Sequence, residues 1–143
     1  MTYSTVIDAN LAIYSVLNTP HTAQAIKTLT RLHELNAWFY APRLWWYEIT
    51  SVIHTYQFFG LLSEEQSLEA LDLLFTGMEI QPVEELYESA FRWASRLHQK
   101  AAYDGFYLAA AEQLGAELWT ADKSLMINAR QNDAQWVHWM GEV

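Results

Sequence analysis

The chain has 143 residues, of which 17 are acidic and 8 are basic, so its net charge is −9 with the histidines neutral. This charge excludes broad electrostatic attraction to nucleic acid or to an anionic membrane, and any phosphate group must be held by local contacts. Apolar residues make up 52% and charged residues 17%, which excludes a disordered chain, while the lack of cysteine excludes disulfides and thiolate metal sites.

The chain is about the length of one domain, and it contains neither an internal repeat nor a low-complexity linker. Its first five residues lack the cationic start and the apolar run of a signal peptide, and no apolar run reaches membrane-spanning length. We therefore expect residues 1–143 to form a single domain of a cytoplasmic protein with no membrane contact.

The first part of the chain alternates predicted strands and helices. Tyr3 to Ile7 ends in a β-branched pair and predicts a strand, and a helical segment follows from about Leu11 to Leu17. Apolar residues at helical spacing between residues 23 and 33 predict the next helix. Ala37 to Ala41 predicts a second strand, which ends at Pro42.

The middle of the chain is predicted to be mostly helical. A helix from about 43 to 59 begins after a proline and ends at Gly60. Ser63 and Gln66 form a capping box that opens another helix, which ends at Gly77. Four residues of this second helix are predicted to face inward: Leu68, Leu71, Leu74 and Phe75.

The last part of the chain returns to strands. A short strand from Met78 to Gln81 precedes Pro82, and a helix is predicted from Val83 to about Lys100. A second helix from about Asp104 to Leu114 ends at Gly115. The remaining predicted elements are a strand at Glu117–Ala121, a helix at Lys123–Arg130 and a weak strand at Trp136–Met140. Strands separated by helices of ten or more residues imply right-handed crossovers, so the sequence predicts an α/β fold with a mainly parallel sheet.

Three aspartates are predicted to lie at one edge of this sheet. Asp8 follows the first strand and Asp122 follows the fourth, and binding sites of open parallel sheets form outside the carboxyl ends of the strands. The helix over 105–114 descends about 15 Å, and the strand over 117–121 climbs back about 16 Å. Because the two spans nearly cancel, Asp104 is expected at the same edge as Asp122.

Glu48 interrupts an apolar stripe on its predicted helix. Five apolar residues lie within roughly 80° of it at 100° per residue: Leu44, Trp45, Val52, Tyr56 and Phe59. No lysine or arginine lies three or four positions away on this helix, so a carboxylate on the core side needs another source of compensation.

The four acids together indicate a divalent cation. Without a cation they would repel one another by about 3 kcal/mol per pair at ~5 Å and an effective dielectric constant near 20. All-oxygen ligands favour Mg²⁺ or Mn²⁺, and the five histidines show no pair at the spacing of a zinc site. Such an ion supports hydrolysis of a phosphodiester by an activated water molecule.

Four segments of the sequence resemble the motifs of PIN domains, in order and at fitting separations. They are Val6-Ile7-Asp8-Ala9-Asn10, Trp46-Tyr47-Glu48-Ile49, Tyr103-Asp104-Gly105-Phe106-Tyr107-Leu108-Ala109-Ala110-Ala111 and Trp119-Thr120-Ala121-Asp122-Lys123. The resemblance covers essentially the whole chain and is closest to small prokaryotic ribonucleases of the VapC type, the toxins of toxin–antitoxin pairs. It implies one PIN domain over 1–143, a three-layer α/β/α sandwich with a mainly parallel central sheet of four to five strands.

The resemblance also implies function. The chain is expected to be a metal-dependent ribonuclease that holds one or two Mg²⁺ or Mn²⁺ ions on four acids: Asp8, Glu48, Asp104 and Asp122. Asn10 and Thr120 match positions whose side chains orient the acids or water. Arg43 and Lys123 are expected to flank the acids and contact RNA phosphates. The implied partners are an RNA substrate, a cognate antitoxin protein and a second copy of the chain.

Other interpretations of the same residues stay open. The acidic surface fits a catalytically silent PIN-fold module that binds a protein partner. The aromatic segments Trp38-Phe39-Tyr40 and Trp45-Trp46-Tyr47 fit base stacking, although core packing or a protein interface is the commoner role. A haloacid-dehalogenase-like phosphatase with Asp8 as nucleophile would need a second aspartate two positions on, where Asn10 stands.

Overall fold

A computed structural model describes residues 3–143. The predictions for the N-terminus and for a domain over 1–143 include Met1 and Thr2, which lie outside the described residues. The strands are β1 (Tyr3–Ile7), β2 (Ala37–Pro42), β3 (Gln81–Val83), β4 (Glu117–Thr120) and β5 (Val137–Trp139). The helices are α1 (Ala9–Val16), α2 (Thr22–Glu34), α3 (Leu44–Phe58), α4 (Glu64–Gly77), α5 (Tyr87–Arg96), α6 (Tyr103–Leu114) and α7 (Lys123–Gln131), with a final 3₁₀ turn at Met140–Glu142. The predicted α/β fold is confirmed.

The five strands form one parallel sheet in the order β3-β2-β1-β4-β5. Its centre is apolar on both faces, because Val6 and Ile7 of β1 and Leu118 of β4 are fully buried. From β1 the chain proceeds outward to β3 and then returns past β1 to β4, so the strand order reverses between β1 and β4. Open parallel sheets bind ligands outside the carboxyl ends of the strands at such a reversal.

Several local signals in the sequence form the helix ends that they predict. Ser63 and Gln66 make both hydrogen bonds of a capping box at the start of α4. Gly115 takes a left-handed conformation with φ of 61° and closes α6, and Gly60 follows α3 with φ of 75°. None of the helices within residues 3–143 combines the length and the apolar composition that a membrane crossing requires.

The predictions around β3 and α5 are wrong in their boundaries. The strand expected at Met78–Gln81 lies instead at Gln81–Val83 and contains Pro82, which is tolerated because β3 is at the edge of the sheet. The helix expected from Val83 to about Lys100 covers only α5. Glu85 before it and His98 after it have positive φ angles of 61° and 56°, which are incompatible with a continuous helix.

The prediction of which apolar side chains face the core is wrong in part for α3 and α4. Leu68, Phe75 and Phe59 were expected on buried faces, but 59%, 37% and 70% of their surfaces are exposed. Leu74 is buried as predicted and Leu71 is half-buried, but the other buried residues of α4 are Ser67 and Ala70. Since α4 is apolar over most of its circumference, periodicity does not decide which stripe is covered.

Gly105 lets α6 lie directly against α5. A Cβ atom at this position would stand 2.3 Å from the carbonyl oxygen of Ala90. We expect Gly105→Ala to lower the free energy of unfolding by about 1–3 kcal/mol and the melting temperature by several degrees, because backbone atoms must shift. Gly77→Ala is the matched control, since its Cβ would have no atom within 4 Å. Equal losses in the two variants, measured by thermal denaturation, would contradict the close-contact explanation.

Candidate functional site

Asp8 is fixed at the carboxyl end of β1 by groups from two parts of the chain. Its Oδ1 accepts a hydrogen bond from the backbone N–H of Leu11 at 2.9 Å, which caps α1. Its Oδ2 accepts from the hydroxyl of Thr120 and from the N–H of Ala121 at 3.3 Å. The Thr120 hydroxyl oxygen accepts from the N–H of Asp122 at 2.9 Å. Thr120 therefore links the two aspartates at the reversal point of the sheet.

The environment of Asp8 disfavours its negative charge. Burial raises the pKa of the Asp8 carboxyl from 3.8 to about 7, although the hydrogen bonds from Thr120 and from two backbone N–H groups lower it. The charge of Asp104 raises the pKa further. A buried carboxyl with a strongly raised pKa at a strand end is typical of a functional site.

Glu48 projects from α3 towards α6 and is half-buried. Its Oε1 accepts a hydrogen bond from the hydroxyl of Tyr107 at 2.6 Å. Burial raises the pKa of Glu48, the Tyr107 bond lowers it, and the charge of Asp104 raises it. Burial and the Glu48 charge keep the pKa of Tyr107 well above its usual value, so the phenol remains protonated and acts as the donor.

Asp104 lies in the first turn of α6 and is also half-buried. Its Oδ2 accepts a hydrogen bond from the side-chain amide of Gln99 at 3.0 Å. Burial raises the pKa of Asp104, the Gln99 bond lowers it, and the charge of Asp122 raises it. Asp122 itself follows β4 and caps α7, because its Oδ1 accepts from the N–H of Leu125 at 3.1 Å.

The four acids, called here the acidic site, are electrostatic neighbours. The charge of Asp104 raises the pKa of both Asp8 and Glu48, and the charge of Asp122 raises the pKa of Asp104. No lysine, arginine or histidine within residues 3–143 forms an ion pair with any of the four. The structure therefore brings together one cluster of negative charge at the edge where the sequence places it.

The carboxylate oxygens of the acidic site are suitable ligands for a hard divalent cation. As the side chains stand, no three acidic or histidine side chains in the described chain are close enough to share one ion. Glu48, Asp104 and Asp122 each have one carboxylate oxygen hydrogen-bonded and the other without a hydrogen-bond partner among residues 3–143. Carboxylate oxygens are the ligands that Mg²⁺ and Mn²⁺ prefer, and side-chain rotation would be needed to bring them around one ion.

The other predicted site residues have varied surroundings. Asn10 is exposed in the first turn of α1 and makes no side-chain hydrogen bond within residues 3–143. Arg43 pairs with Glu84 at 2.6 Å, and both side chains are more than half exposed. Lys123 places its ammonium group 5.0 Å from the ring centre of Trp139. Neither cation contacts the acidic site in this arrangement.

Sequence reasoning missed two residues that hold the acids. Tyr107 follows Asp104 by three positions on α6, and this spacing puts both side chains on one helix face, which could have revealed it. Gln99 was predicted to lie in the last turn of a helix, but it lies in the irregular segment between α5 and α6, so no pattern in the sequence points to its contact with Asp104.

We expect Tyr107→Phe to raise the pKa of Glu48 further, because the substitution removes the hydrogen bond that stabilises the carboxylate and leaves its burial unchanged. NMR titration of the Glu48 side-chain carboxyl in metal-free protein measures this shift. Tyr103→Phe is the control on the same helix, since the Tyr103 hydroxyl makes no hydrogen bond within residues 3–143. An unchanged pKa of Glu48 in Tyr107→Phe would show that this bond does not tune the acid.

Comparison with known proteins gives a consistent set of relatives. A family model described as the PIN domain matches residues 6–135. Ribonuclease VapC3 from Pyrobaculum aerophilum is 28% identical over 123 residues, which cover 84% of this chain and 90% of the relative.

Solved structures share the fold. The crystal structure of PAE2754 from Pyrobaculum aerophilum superimposes with a TM-score of 0.69 at 18% identity, covering 99% of this chain and 94% of that one. VapBC-1 from nontypeable Haemophilus influenzae gives a TM-score of 0.60 at 22% identity, with coverage of 97% and 96%. FitAcB from Neisseria gonorrhoeae gives a TM-score of 0.58 at 18% identity, with coverage of 97% and 99%.

Proposed function

Because the chain belongs to the PIN domain family, we propose that it is a Mg²⁺- or Mn²⁺-dependent endoribonuclease and the toxin of a toxin–antitoxin pair. The observation that carries the proposal is the acidic site, a cluster of four carboxylates at the carboxyl edge of the sheet with which no lysine, arginine or histidine within residues 3–143 forms an ion pair. The relative named Ribonuclease VapC3 supports the reaction, and the structural likeness to VapBC-1 supports the toxin–antitoxin setting.

The acids of the site would hold one or two ions. A divalent cation bound there supplies the charge that lowers the pKa of an attacking water molecule and stabilises the leaving oxygen of the phosphodiester. The protein contributes orientation: Thr120 holds Asp8, Tyr107 holds Glu48 and Gln99 holds Asp104. Asn10, which is exposed two positions after Asp8, is proposed to orient water at the same edge.

The two predicted phosphate contacts require cations to leave their present partners. Arg43 and Glu84 form an exposed ion pair, and such pairs are worth only about 0–1 kcal/mol. A phosphate group can therefore replace Glu84 at low cost, and Lys123 can similarly leave the face of Trp139. With a net charge of −9 on the chain, we propose that RNA is held by these few local contacts and by the bound ion.

We propose that the chain works as a homodimer that a cognate antitoxin protein binds, outside any membrane and in the cytoplasm. Phe58, Phe59 and Leu61 support a protein interface, because they are adjacent at the end of α3 and between 67% and 75% of their surfaces are exposed. Static light scattering of the purified chain should give the mass of two copies, and a monomer at all accessible concentrations would contradict the dimer.

The central experiment is an RNA cleavage assay with the purified chain. We expect cleavage of single-stranded RNA with Mg²⁺ or Mn²⁺, loss of cleavage with EDTA, and recovery when excess Mn²⁺ is added back. The variant Asp8→Asn should be inactive with either ion. Metal-independent cleavage that survives Asp8→Asn would overturn the proposed mechanism.

One observation favours a second candidate function, a catalytically silent PIN-fold module that binds a protein. No three acidic or histidine side chains in residues 3–143 stand in a ligand arrangement, so in this arrangement the site does not present the ligand geometry that turnover requires. This alternative predicts no cleavage at any Mg²⁺ or Mn²⁺ concentration and no calorimetric signal for metal binding, while a protein partner still binds.

A further inference from the structure

An open cavity of about 420 Å³ lies beside the acidic site at the carboxyl ends of β2 and β3. Its wall is aromatic, with three tyrosines and one phenylalanine: Tyr47, Tyr87, Tyr103 and Phe106. Between 62% and 80% of the surface of each tyrosine is exposed, although tyrosine is usually about half-buried in folded proteins. The rings of Tyr87 and Phe106 meet edge to face at 6.0 Å, so the wall already has a defined shape.

Two helices contribute neighbouring residues to the cavity and to the acidic site. Tyr47 directly precedes Glu48 on α3, and Tyr103 directly precedes Asp104 on α6. The contact between Glu48 and Tyr107 lies one helical turn, about 6 Å along the axis, beyond Tyr103. The cavity wall and the acids on α3 and α6 therefore lie within about one helical turn of each other along the helix axes.

We infer that this cavity binds one unpaired nucleobase of the RNA, next to the phosphodiester that the acidic site would cleave. This inference rests on the proposed ribonuclease function. Single-stranded RNA is recognised chiefly by stacking of splayed bases on aromatic side chains, which tolerates a protein of low positive charge better than phosphate contacts do. The base occupying the cavity would select the nucleotide beside the cleavage position.

The size of the cavity favours a base over a protein segment. Its volume is near the lower end of the range for small-molecule sites and suits one ring system with its sugar rather than a peptide helix. Its rim carries the Arg43–Glu84 ion pair and Glu85, which forms no ion pair within residues 3–143, so a phosphate group at the rim depends on contact with Arg43. Arg43 is also placed to contact a phosphate of the nucleotide whose base enters the cavity.

The test compares three substitutions in the cavity with one outside it. Tyr47→Leu, Tyr87→Leu and Tyr103→Leu remove the exposed rings, and Trp38→Leu removes an exposed ring at the opposite edge of the sheet. Cut sites are first mapped in a random single-stranded RNA pool with Mn²⁺. Oligonucleotides with an abasic ribose at each position around a mapped cut then locate the base that matters. Melting temperatures confirm that each variant is folded.

We expect removal of one particular base to lower kcat/KM of the parent chain by about 5- to 100-fold, the usual effect of losing one base stack. Two or more of the tyrosine variants should show a similar loss on intact RNA and little further loss on the abasic oligonucleotide, because the same contact has been removed. Trp38→Leu should behave as the parent chain.

Binding of fluorescent RNA is measured with Ca²⁺ in place of Mn²⁺. This measurement distinguishes failure of the base site from failure of the proposed ribonuclease function. If the parent chain binds but does not cut RNA, and the tyrosine variants bind weakly, the ribonuclease proposal fails and the base site stands. If the parent chain cuts RNA and the tyrosine variants cut with unchanged kcat/KM and base preference, the base site is overturned. It is also overturned if the parent chain neither binds nor cuts RNA, or if the variants lose only a protein partner.

Discussion

Replacing Asp104 with asparagine should lower Mn²⁺-dependent RNA cleavage at least about 100-fold, with little loss of folded protein. Loss of a residue that only holds a metal ligand in place typically lowers metal affinity or activity 10- to 100-fold, and loss of the ligand itself should lower it further. Asp104 is the acid whose charge acts on both Asp8 and Glu48, so its removal should change the whole acidic site. The hydrogen bond from Gln99 can be kept by the amide oxygen of asparagine, which limits the structural disturbance.

The control for Asp104→Asn is Asp72→Asn on the exposed side of α4. Asp72 is exposed and accepts a hydrogen bond only from Thr76 within residues 3–143, so Asp72→Asn should leave cleavage unchanged. Isothermal titration calorimetry with Mn²⁺ should show weaker binding to Asp104→Asn alone. Full cleavage and unchanged Mn²⁺ affinity in Asp104→Asn would show that this carboxylate does not take part in the reaction.

The placement of the acids could be predicted because it depends on strand ends and element lengths. Asp8 and Asp122 follow two strands that prove to be neighbours, and Thr120 joins them. Asp104 lies near Asp122 because α6 and β4 nearly cancel in length, as the count of residues indicates. Whether these acids hold a metal ion stays a prediction, since ligand geometry depends on side-chain rotation that sequence patterns do not encode.

The sequence predictions fail where several apolar faces of one helix compete for burial and where the backbone is irregular. The buried stripe of α4 is decided by its packing partners, and Leu68 and Phe75 are left exposed although their spacing matches a core stripe. The predicted start of α5 is wrong because the backbone at Glu85 has a positive φ angle, which a glutamate in the sequence does not indicate. The amide of Gln99 contacts Asp104 from an irregular segment, so only the fold reveals it.

In EDTA, the stability of the protein should fall as the pH rises from about 4 to about 7, and Asp8 should account for much of the fall. The folded-state pKa of Asp8 is about 7, above the value of 3.8 for an unperturbed aspartate, so the folded state binds a proton that the unfolded state releases. The stabilisation is therefore full below pH 4 and is lost as the pH passes through 7. At 1.36 kcal/mol per pKa unit, the loss is on the order of 4 kcal/mol.

The variant Asp8→Asn removes the ionisation, because asparagine is neutral and its amide oxygen can still accept from the N–H of Leu11 and cap α1, while its amide nitrogen cannot replace Oδ2 as the acceptor for the N–H of Ala121. In EDTA at pH 8 we expect it to melt several degrees above the parent chain, while at pH 4 the difference should nearly vanish. Mg²⁺ or Mn²⁺ should narrow this difference at pH 8, because an ion at one hundred times its Kd stabilises the parent chain by about 2.7 kcal/mol, which offsets more than half of the cost of ionised Asp8. Identical pH profiles for the two proteins would mean that Asp8 is ionised without cost in the folded state, and the electrostatic reason for expecting a cation at the acidic site would then be removed.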